Sequence, residues 1–145
     1  MNRLRHRLGD DERGSATIEI VILTPAVLLL LGLIIFAGRL QIAAGAVEYA
    51  AASAAREASL ARTPDGARTA ATAAGTDSLR NQDLRCVTRS VVLDVSGFAR
   101  PVGQPAQVTA TVTCTVAFDD LAIPGLPGSK TLTAQASSAL DRYRS

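Results

Sequence analysis

Tryptophan is absent from this 145-residue chain, and three Phe and two Tyr are all its aromatic surface. Any core must therefore be built from Ala, Val, Leu and Ile, and it will be thin. The single histidine, His6, is too little for a zinc set or a His-based catalytic pair, and the chain has no Gly-rich phosphate loop. Asp77, Asp83, Asp94, Asp119 and Asp120 lack the spacing of a calcium loop. An enzyme is thereby argued against, and neither a cofactor nor a small-molecule substrate is expected. Lysine is nearly absent too, since fourteen of the fifteen basic residues are Arg and only Lys130 is Lys. These Arg residues are scattered, without aromatic interleaving, and the net charge is only +2, so no nucleic-acid partner is expected.

Charge is missing altogether from Ile20 to Gly38. As a helix rising about 1.5 Å per residue, that run spans most of a hydrocarbon core of roughly 30 Å. It is longer than the apolar stretch of a secretory signal, and the bilayer is the first partner expected. Arg3, Arg5, Arg7 and Arg13 precede it, whereas Arg39 alone lies close behind it. The bias towards basic residues on the first flank predicts a cytoplasmic N-terminus and an extracytoplasmic C-terminal portion. One acid, Glu19, stands at the N-terminal edge of the run. An ionised side chain held in the membrane costs about 2–3 kcal/mol even on lenient scales, so it marks a candidate functional residue.

The chain divides into a cytoplasmic leader (1–14), a long helix (15–62, membrane core 20–38) and a small outer unit (63–145). Ser15 is placed to cap the helix. Pro25 withholds an amide from the carbonyl of Val21, which predicts a loosened turn where the Thr24 hydroxyl can help. Beyond the bilayer Leu40, Ala43, Val47, Ala51, Ala54, Ala58 and Ala61 recur on one helical face. That small-residue face suits close approach of another helix, from this chain or a partner; high helix propensity explains the alanines equally well. Thr63-Pro64 predicts a cap and restart, with a second helix to about Leu79 interrupted near Gly75.

After Arg85 the pattern becomes extended. Val87 to Val95 is β-branched and ends at Gly97; Val108 to Val116 alternates Val, Ala and Cys with Thr; Thr131 to Leu140 alternates again. Pro/Gly-rich stretches at 101–105 and 121–128 separate them. The expected fold is α+β: a long transmembrane helix continuing outside, a second short helix, and a small antiparallel sheet of three or four strands. Cys86 and Cys114 fall in the outer unit, where a disulfide persists. The bond is preferred over two free, buried thiols, and closing that loop contributes roughly 3–4 kcal/mol in the chain-entropy model.

The junction Gly14-Ser15-Ala16-Thr17-Ile18-Glu19 resembles the processing site of type IV prepilin-like proteins. More narrowly, residues 12–60 resemble the TadE family of tight-adherence pilus assembly. The shared elements are Arg13-Gly14 before small residues, Glu19, Pro25, and Gly32 with the ending Ile35-Phe36-Ala37-Gly38. The helix continuation Val47 to Ala58 is similar as well. Ile20 stands where many members have an aromatic, and Ile35-Phe36 where a second acid is frequent. The resemblance implies a minor pilin-like (pseudopilin) component of a Tad/Flp-type pilus or secretion system, acting in assembly. It implies cleavage by a prepilin peptidase between Gly14 and Ser15, with Glu19 setting the register between subunits. The implied partners are that peptidase, other pilin-like subunits and Tad assembly proteins. Two readings stand beside it: an uncleaved single-pass envelope protein displaying a small binding domain, and a secreted protein cut after Ala46, where Ala44-Gly45-Ala46 is similar to a signal-peptidase site.

Overall fold

The computed structural model describes residues 11–120 and 127–141, and side chains from Ile20 onward. The leader residues Arg3, Arg5, His6 and Arg7 lie outside that range, as does most of the 121–128 loop. Two units result, Met1–Ala37 and Gly38–Ser145, and the first helix, α1 (Asp11–Leu60), runs through both. It starts four residues before the expected Ser15, so Gly14 is already helical. The helix ends at Leu60, two residues before the expected Arg62.

In the first unit, α1 continues through Pro25. The Thr24 hydroxyl donates to the carbonyl of Ile20 at 2.7 Å, one residue before the carbonyl that Pro25 leaves without an amide. Ile20, Leu23, Val27, Leu30 and Ile34 are each more than half exposed.

The second unit has a different logic. Its part of α1 buries Ala43, Ala46, Val47, Ala50, Ala51, Ala54, Ala55 and Ala58. Five of the seven predicted face residues are buried, Leu40 and Ala61 being only half so. The face is also wider than predicted, because Ala46, Ala50 and Ala55 add a second row. Residues on two adjoining rows bury together when a helix is covered from more than one side. Three contacts say by what. A Cβ at Gly75 would lie 3.5 Å from the Ala54 Cβ, the Gln82 amide donates to the Ala46 carbonyl at 3.4 Å, and the Ser138 hydroxyl donates to Ser59 Oγ at 3.0 Å. Ser59 in turn donates to the carbonyl of Arg56 at 2.7 Å.

The second helix, α2 (Pro64–Asn81), begins as its sequence predicts. Thr63 is extended, its hydroxyl accepts from the Gly66 amide at 3.1 Å, and Pro64 opens the first turn. The predicted interruption at Gly75 does not occur. Gly75 is instead the point of closest approach, where an added Cβ would meet Val91 Cγ2 at 3.1 Å. A missing side chain lets α2 sit down on its neighbours, and that gain outweighs the roughly 1 kcal/mol of lost helix propensity. The helix closes with Asp83 at φ 53°, the Asp83 amide on the Arg80 carbonyl at 3.0 Å and the Leu84 amide on Leu79 at 3.1 Å. This is the paired C-terminal motif usually built on glycine.

Three antiparallel strands follow in the order β1-β2-β3: β1 (Thr88–Asp94), β2 (Gln107–Ala117) and β3 (Ser129–Ala139). The predicted alternation of β2 holds, with Val108, Ala110, Val112, Cys114 and Val116 all buried. The opposite face is a ladder of hydroxyls. Thr109 meets Ser137 at 2.8 Å, Thr113 meets Thr133 at 3.3 Å, and Thr115 meets Thr131 at 3.0 Å. A turn of 3-10 helix (Ser96–Ala99) opens the β1–β2 connection. Gly97 is obligatory there, because any Cβ would collide with the Gln107 backbone.

Candidate processing and assembly site

Gly14, Ser15 and Glu19 all lie in the first turns of α1. Gly14 is helical, three residues after Asp11, the first described residue of α1. Ser15 and Glu19 are one helical turn apart, and the uncharged run starts immediately after the glutamate. Their side chains fall outside the described range.

The helix beyond them, Ile20–Leu60, is long and apolar enough to cross a membrane. Its first half has the surface a bilayer accepts: branched aliphatic side chains all round, and no charge before Arg39. Gly32, Gly38 and Gly45 each have open space where a Cβ would be, so they notch the helix surface without packing against this chain.

At the other end of the chain, Cys86 and Cys114 are joined in a disulfide, with Cα atoms 5.3 Å apart. The bond ties the segment leaving α2 to the middle strand, and Cys114 is fully buried. The backbone continues the join, as the Val87 amide donates to the Thr115 carbonyl at 2.8 Å. Asp94, at the far end of β1, accepts the Ser96 amide at 2.9 Å, and the hydrogen bonds from Ser96 hold its carboxyl below its ordinary value. Among the described residues, no three His, Cys, Asp or Glu side chains are grouped to hold a metal. The hydroxyl ladder and the Ser59–Ser138 bond were not foreseen. The alternating Thr of β2 and β3 was the available signal for the first; nothing local marks the second.

Among the described residues, one apolar helix near the N-terminus, beside a disulfide-bonded α+β unit, is consistent with a single-pass membrane protein. Residues 14–56 match the family model described as TadE-like protein. The matched segment begins at Gly14 and ends inside the alanine-rich part of α1. No curated protein and no solved structure matches the chain.

Proposed function

We propose that this protein is a minor pilin-like subunit of a Tad/Flp-type pilus or secretion system, acting in assembly rather than catalysis. Its N-terminus lies in the cytoplasm, α1 crosses the cytoplasmic membrane once, and the disulfide-bonded unit is extracytoplasmic. The observation that carries the reading is the TadE-like match, which starts at the glycine of the processing junction and takes in the whole apolar run.

A prepilin peptidase cuts between Gly14 and Ser15. Gly14 is helical and costs about 1 kcal/mol of helix propensity relative to Ala, so the helix opens more readily there. A glycine also lets an extended backbone enter a peptidase without a side-chain clash. Cleavage frees the α-amine of Ser15. The Glu19 carboxylate of one subunit then pairs with the Ser15 amine of the next, which offsets the cost of holding either charge in the membrane and fixes the axial register.

Mass spectrometry of the mature N-terminus separates the readings. Ser15 as first residue supports processing; an intact Met1 in cells with active prepilin peptidase overturns it. A product beginning at Val47 would identify a secreted protein. That outcome is disfavoured by the packing, since Ala46 and Val47 are both buried within α1 and cleavage would strip Ala43 from the same core. Glu19→Ala is expected to insert into the membrane normally but to reduce recovery of assembled subunits about ten-fold or more, as loss of one partner of a desolvated charge pair does. Normal assembly of that variant excludes the paired-charge mechanism.

A further inference from the structure

Among the described residues the sheet ends on β3, and its open side has the chemistry of an interface. Hydrogen bonding in an antiparallel pair alternates along the strand, so a residue sends both its amide and its carbonyl to the same side. The Leu140 amide donates to Ala106 and the Gly128 carbonyl accepts from Phe118, so the even-numbered residues of β3 face β2. The odd-numbered residues Thr131, Thr133, Gln135 and Ser137 therefore direct their backbone groups to the free edge, and their side chains are exposed.

Edge strands are normally blunted by charge, proline, bulges or short length. Here β3 is eleven residues long, has no proline, and carries one charge, Lys130, near its end. Its register with β2 is unbroken from Ser129 to Ala139. The layer beneath also stops short. Ala110, Val112 and Cys114 of β2 are buried, whereas Leu132, Ala134 and Ala136 on the same face of β3 are only half-buried.

We propose that the free edge of β3 binds a second copy of this chain, the two β3 strands pairing antiparallel about Ala134. The choice of occupant follows from the side-chain rows. Within the chain, β2 sets Thr109 against Ser137 and Thr111 against Gln135. Pairing about Ala134 sets Thr131 against Ser137 of the second copy and Thr133 against Gln135, so β3 offers its twin the residue pairs that β2 already offers it. On the other face Leu132 meets Ala136, covering the half-buried flank. No like charges are opposed, because the two Lys130 residues fall at opposite ends. The edge of β1 has no such match, with Val92 and Asp94 in its outer row.

The test uses the full chain in detergent micelles. Thr133→Cys and Gln135→Cys chains are oxidised separately and as a mixture. The mixture should give roughly ten-fold more linked dimer than either alone, because a disulfide needs Cα atoms within about 4.4–6.8 Å and only the mixed pair is directly opposed. Equal yields in all three samples overturn the register. Light scattering then compares the wild type with Thr133→Pro, which removes an edge-facing amide, no backbone bond to β2 and only the exposed hydroxyl contact with Thr113, and with Thr133→Lys, which loses that same contact. The wild type should dimerise and both variants should be monomeric with unchanged cooperative melting. Should Thr133→Pro melt early, Thr133→Lys decides alone. A monomeric wild type, or a Thr133→Lys variant that dimerises like it, overturns the proposal.

Discussion

Between Ile20 and Ile35, α1 exposes nearly every large aliphatic side chain it has; between Ala43 and Ser59 the same helix buries almost nothing larger than alanine. Both stretches are apolar and helical, yet they follow opposite rules. In a bilayer the surroundings are as apolar as the side chains, so bulk is favoured on the outside and burial gains little. In water the helix must be covered, and with few large residues available it is covered closely, backbone near backbone. Apolarity alone therefore does not say where a helix lives. Side-chain size does, once the pattern of exposure is known.

The largest expected effect falls entirely on the second unit. Replacing both Cys86 and Cys114 by Ala should cost about 3–4 kcal/mol, which for a unit near 100 residues lowers Tm by roughly 4–8 °C per kcal/mol. Melting followed by a β-sheet signal measures it, and an unchanged Tm would mean the bond does not constrain this unit. Next is a direct contrast between the halves of α1. Ala51→Leu inserts bulk between packed elements and should cost about 1–3 kcal/mol, while Leu29→Ala should leave the same melt unchanged. Equal effects would abolish the distinction between the two stretches of α1. Smaller again is Thr63→Ala, which removes the cap on Gly66 and should cost about 1 kcal/mol. The smallest concerns acid. The Asp94 carboxyl is held below its ordinary value of 3.8, so its contribution is present above that pH and is lost as pH falls through the depressed value. Asp94→Asn should therefore flatten the acid limb of the stability profile slightly, visible in matched melts below pH 4.

Much of this architecture was legible because its signals are periodic or positional. The strict alternation of Val108 to Val116 specified β2 to within a residue at each end. Thr63-Pro64 specified a cap through a hydroxyl and a fixed φ, both local properties. The pairing of the two cysteines was expected from the outward orientation read in the sequence, and the bond itself is present. What could not be read required knowledge of neighbours. Gly75 looks like a helix breaker until Val91 and Ala54 are placed beside it. Asp83 gives no local sign that it takes a left-handed conformation usually left to glycine. The second buried row of α1 is indistinguishable in sequence from alanine chosen for helix propensity. At the candidate site, Gly14 and Glu19 were visible only as a motif, and the start of the helix at Asp11 was not anticipated because the acids before Gly14 were read as leader.

The alanine-rich interior has a thermal consequence. The heat-capacity change of unfolding rises with apolar area newly exposed to water, and alanine brings little of it per residue. The heat-capacity change of the unit Gly38–Ser145 should therefore fall below the ~12–15 cal/mol/K per residue of ordinary domains, which calorimetry would show as a broad and shallow stability curve. Such a unit would give up a high maximum of stability and keep nearly the same stability across a wide range of temperatures.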